Sequence, residues 1–196
     1  MVSLPATTLD LLPLPKGSGE QDLALERLEA LLGQLTDPEI PVISLREMGI
    51  LRAVRQAADG QVEVVITPTY SGCPAMSQIA DDVAAALRQA GVDGRVVTQL
   101  APAWTTDWMT DEAREKLRAW GIAPPACASA GPATPFQLTR RKKTTGGSLG
   151  DAGPAVPCPQ CGSRHTTEIS HFGSTACKAL YRCLDCLEPF DYFKPI

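Results

Sequence analysis

Four cysteines near the C-terminus stand as two Cys-x-x-Cys pairs, Cys158 with Cys161 and Cys183 with Cys186. Thiolates two residues apart can grip one tetrahedral ion from a tight knuckle, and two knuckles complete a four-sulfur shell. Residues 162–182, between the pairs, have the length of a β-hairpin turning near His171-Phe172-Gly173-Ser174. The expectation is a zinc ribbon, with iron the alternative ion for the same shell. Four sulfurs leave no open position for water, so Zn²⁺ here would be structural. Gly162 after the first knuckle is free to take a positive φ, while Leu187 occupies the matching place after the second.

Cys73 is a different object. It ends the run Thr67-Pro68-Thr69-Tyr70-Ser71-Gly72-Cys73-Pro74, where a strand is expected to turn into a helix. If it is exposed, the free N–H groups and dipole at the helix start lower its pKa and make it a working thiol; if buried, it packs a corner and is inert. Cysteine-hydrolase chemistry fits badly, because its histidine base is missing: both histidines, His165 and His171, fall within the ribbon. No catalytic residue is assigned. Cys177 reads either as a buried hydrophobe or as a substitute ligand for Cys183, and Cys127 as an incidental free thiol.

These groups must be positioned by the elements around them. Leu23, Leu25, Leu28, Leu31, Leu32 and Leu35 recur at helical spacing, which predicts an amphipathic helix over 22–35 with its leucine face in the core. Asp37-Pro38-Glu39-Ile40-Pro41 then fixes an extended turn carrying two carboxylates. The runs 48–56 and 61–67 read as strands joined by the hairpin signal Asp59-Gly60. Pro74 and the apolar spacing Ile79, Val83, Ala86, Leu87 predict a helix to about Ala90, followed by a strand at 95–100. Thr110 is the expected N-cap of a last helix containing Ala113, Leu117 and Trp120.

The expected fold is α+β: a flexible tail over 1–20, and a small two-layer α/β domain over 21–122 with helices on a mixed three- to four-stranded sheet. A Pro/Gly-rich linker over 123–157 follows, then the ribbon over 158–196, with the linker letting the two modules act separately. Phe190, Tyr192 and Phe193 alternate along a final strand, as core or as a docking face. Residues 1–125 hold 17 acids and 10 bases and 126–196 hold 5 and 8, giving −7 and +3 within a net −4. Arg140-Arg141-Lys142-Lys143 lies in the linker without interleaved aromatics, so nucleic acid is a disfavoured partner. No apolar run reaches the roughly 20 residues of a membrane helix, and Met1 to Pro15 lacks a secretory pattern. A cytoplasmic protein with reduced thiols is expected.

Asp37-Pro38-Glu39-Ile40-Pro41, Ser44, Met48-Gly49-Ile50 and the run from Thr67 to Pro74 resemble the SufT-like iron–sulfur assembly factors over roughly residues 22–122. The segments 101–109, 172–183 and 188–194 resemble the PaaD family, subunits associated with bacterial phenylacetyl-CoA epoxidase. The resemblance implies a non-catalytic accessory protein for maturation of a multicomponent oxygenase in aerobic phenylacetate degradation. It also implies that Cys73 handles iron or a transient iron–sulfur cluster with Asp37 and Glu39 nearby. Tyr70-Ser71 replaces a proline common before that cysteine. In this reading Thr67 and Ser71 donate hydrogen bonds to the sulfur, and the partners are oxygenase or reductase subunits, with a homodimer sharing Cys73 compatible. Two alternatives stand beside it: an electron-transfer or structural subunit of the oxygenase, and a zinc-ribbon nucleic-acid binder.

Overall fold

A computed structural model describes residues 19–125 and 156–196. The tail, most of the linker, Cys127 and the basic run at 140–143 lie outside the described residues. The chain order is α1 (Gly19–Gln34), β1 (Leu51–Gln56), β2 (Val62–Ile66), α2 (Ala75–Ala90), β3 (Gly94–Thr98), α3 (Asp111–Ala119), β4 (Ile122–Ala123), β5 (Thr166–Ser170), β6 (Lys178–Cys183) and β7 (Pro189–Phe193). Among the described residues, three α-helices and two sheets make the α+β fold that the sequence predicts.

The first sheet has the order β1-β2-β3. β1 and β2 pair antiparallel, as Asp59-Gly60 requires, and β3 returns parallel to β2 through α2. The apolar stripe of α2 (Ile79, Val83, Ala86, Leu87, Ala90) is buried in the core shared with Val64 and Ile66 of β2. The Leu28 and Leu32 side chains of α1 are fully buried, while Leu23 is exposed, so the leucine face enters the core one turn later than its spacing predicts. The first strand begins at Leu51 instead of Met48 because the chain still turns at Gly49, whose φ is +76°. A Cβ there would meet the Trp108 backbone oxygen at 2.8 Å, so only glycine fits. Thr110 caps α3 through the Ala113 N–H at 3.2 Å, worth about 1 kcal/mol, and Trp120 is exposed just beyond the helix.

The second sheet has the order β4-β7-β6-β5, so the ribbon is an antiparallel three-stranded unit extended by β4. β4 lies at the end of the first module and runs parallel to β7. Phe193 of β7 is buried against Trp104, with ring centroids 6.0 Å apart, and both belong to the main core. The expectation of two separately acting modules is therefore corrected. Burial of Phe193 and Cys177 in the main core joins the ribbon to the first domain. Phe190 and Tyr192 fill a smaller cluster with Cys158 and Cys183, so the final strand is core on this face.

Candidate functional site

The ribbon knuckles fit a tetrahedral ion. Their four Sγ atoms lie within 4.8 Å of one another, with Cys158 to Cys186 at 3.7 Å and Cys161 to Cys183 at 3.6 Å. A Zn–S bond of about 2.3 Å puts the edges of a sulfur tetrahedron at about 3.8 Å, which these two pairs already match, and the widest pair need close by no more than about 1 Å. Gly162 takes the positive φ expected of it (74°), and Leu187 takes the same conformation (67°) where glycine would be less strained. The backbone N–H of Cys186 reaches Cys183 Sγ at 3.5 Å, and it leads the hydrogen bonds that pull this thiol down to about 6. His165 and His171 are exposed and face Asp185 and Glu168 instead of the sulfurs.

Cys73 is half-buried at the corner between β2 and α2, beyond the carboxyl end of the central strand. The Ala75 N–H faces its sulfur, as a helix start should arrange. The expected lowering of its pKa is nevertheless reversed. Burial pushes the thiol up and outweighs the Ala75 N–H, and the nearby Glu39, Asp37 and Cys177 push it further. Thr67 and Ser71 do not supply hydrogen bonds to it. Ser71 is exposed, and the buried Thr67 Oγ1 has no partner among the described residues.

The two acids of the proline turn have different tasks. Asp37 is buried, and its Oδ1 accepts the N–H of Glu39 at 2.8 Å and of Ile40 at 3.0 Å. It holds the turn closed. Glu39 is half-buried, its carboxyl raised by burial and then by Asp37, with Lys178 and the Thr175 hydroxyl opposing. Asp37 and Glu39 are thus brought near Cys73, as the resemblance implies.

The spacing of residues did not disclose the ribbon's share in this site. The segment 173–178 crosses over the Cys73 loop, with the Ala176 N–H facing the Tyr70 hydroxyl and Thr175 facing Glu39. Lys178 is buried, its Nζ 3.8 Å from Asp191, and both line a shallow surface depression with Glu39, Trp120 and Phe190. Cys177 is buried in the main core and stands outside the four-sulfur set. The one signal that could have found this cluster is the buried lysine, whose charge interrupts an otherwise apolar strand start at Lys178-Ala179-Leu180.

The site is a thiol beside two carboxylates on a small mixed sheet, with a four-cysteine ribbon docked against it. Residues 25–99 match the family model of the iron–sulfur cluster assembly protein, and residues 142–194 match that of the PaaD zinc beta ribbon domain. The chain is 50% identical, over 85% of its length and 90% of the relative's, to an Escherichia coli (strain K12) protein named as a putative subunit of 1,2-phenylacetyl-CoA epoxidase. The chain belongs to that family, PaaD. It is also 35% identical, over 47% of its length and 89% of the relative's, to the "Fe-S protein maturation auxiliary factor" of Porphyromonas gingivalis. A solved structure, a domain of unknown function from Bacillus anthracis, covers 49% of this chain and 92% of that one at 25% identity and TM-score 0.43. No helix among the described residues is long and apolar enough to cross a membrane.

Proposed function

We propose that this chain receives iron or an iron–sulfur cluster at Cys73 and passes it to an oxygenase or reductase subunit of a 1,2-phenylacetyl-CoA epoxidase in the cytoplasm. Its ribbon holds one structural Zn²⁺. The observation that carries the reading is the half-buried Cys73 sulfur, which has an N–H on one side and the Glu39 and Asp37 carboxylates nearby. The charges that oppose a bare thiolate also attract a cation, so the empty site holds a proton and the loaded site exchanges that proton for metal. A half-exposed sulfur remains open to ligand exchange with a client's thiolates. The names of the relatives, an epoxidase subunit and a maturation factor, support both halves of this reading.

The test is anaerobic reconstitution of the full chain with iron and sulfide, comparing wild type with Cys73→Ala. Both proteins should carry one zinc per chain, and only wild type should gain visible iron–thiolate absorption. Equal absorption in the two would remove Cys73 from the reading. It would instead put iron in the ribbon, as the electron-transfer alternative requires.

A further inference from the structure

We propose that Cys177 is the second thiolate of the Cys73 site, so that the cargo is held between one sulfur from the assembly domain and one from the ribbon loop. This deepens the function proposed above and rests on it.

Cys177 belongs to the ribbon by sequence and to the other module by position. It is 6% exposed, clustered with the main core against which Cys73 also packs, and apart from the four ribbon ligands. Two links fasten its loop over the Cys73 corner, Tyr70 to Ala176 and Glu39 to Thr175, while within the ribbon the Lys194 N–H donates to the Cys177 carbonyl at 2.9 Å. Each sulfur feels the same carboxylate, Glu39. Thr175 Oγ1 stands 3.0 Å from its sulfur, a polar neighbour within reach of the S–H proton.

The proton count closes on these residues. Binding a divalent ion between two thiols releases two protons. Cys73 is half-exposed and can lose its proton to water. Cys177 is buried, so its proton needs a path, and Thr175 Oγ1 lies between its sulfur and the Glu39 carboxylate. The S–H bond breaks, the sulfur binds metal, and the half-buried Glu39 hands the proton on to water, so that its carboxylate again faces the cation. Lys178, buried beside both, limits the negative charge that accumulates before the cation arrives. One chain then supplies the second sulfur that would otherwise have to come from a second copy.

The experiment adds Co²⁺ anaerobically to the full-length chain with its ribbon already filled by zinc. X-ray absorption at the cobalt edge of wild type, which the ribbon zinc leaves untouched, should count two sulfur ligands. One sulfur, or none, overturns the proposal without requiring any variant to fold. Cys177→Ala should weaken cobalt binding about a hundredfold or more, an even share of a four-ligand affinity, with zinc content and circular dichroism unchanged. If Cys177→Ala binds as wild type while Cys73→Ala does not, Cys177 is no ligand and the Cys73 reading survives. Should both variants bind as wild type, the two readings fall together.

Discussion

Phe193→Ala removes the side chain that ties the ribbon to the assembly domain. Phe193 is 1% exposed and its ring meets Trp104 at 6.0 Å with an interplanar angle of 56°. Deleting a buried phenylalanine costs about 3–5 kcal/mol, to which the lost aromatic pair contributes about 1. Against a total stability of roughly 5–15 kcal/mol, that is a large fraction. For a chain of this size it corresponds to a fall in Tm of roughly 6–20 °C. All three tryptophans (104, 108 and 120) lie in the first module, and because Trp104 also touches Phe193 the midpoint of the fluorescence transition, not its amplitude, follows the unfolding of that module. Metal release to a colorimetric chelator reports the ribbon. Urea unfolding followed by both signals should move to lower denaturant together. If metal release shifts while the tryptophan transition stays at its wild-type midpoint, the shared core through Phe193 is refuted.

Three further outcomes follow from the site. Thr67→Val removes a buried hydroxyl that has no partner among the described residues, and should raise stability by about 1–3 kcal/mol in thermal melts; a loss would mean that the hydroxyl is bonded. The Cys73 thiol is raised by burial and by Glu39, so it stays protonated at neutral pH, and its alkylation rate should climb about tenfold per pH unit through pH 7–9. A plateau below pH 8, read by peptide mass spectrometry, would show a lowered pKa instead. Glu39→Gln removes one of the opposing charges and should speed alkylation of Cys73 at pH 8.

What the sequence disclosed was local. The Cys-x-x-Cys knuckles, the Asp59-Gly60 hairpin and the apolar stripe of α2 each follow from spacing within a few residues, and each stands where it was expected. The direction of the Cys73 shift could not be read this way. It depends on burial and on carboxylates that only the folded turn at Asp37 brings near, and these outweigh the Ala75 N–H that local reasoning supplies. The docking of the ribbon was hidden for a related reason. It uses β4 of two residues, too short to have a period, together with Phe193 and Cys177, whose partners lie far away in sequence. Leu187 shows the converse, a backbone conformation imposed by the knuckle on a residue that does not favour it.

The most direct measurement is the iron content and turnover of the epoxidase complex purified from cells whose only copy of this protein is Cys73→Ala. The substitution removes little volume, so the chain should fold, keep its zinc and accumulate normally. The proposed function predicts a complex short of iron or of reductase cluster and correspondingly inactive. A fully metallated, fully active complex from that strain would contradict it.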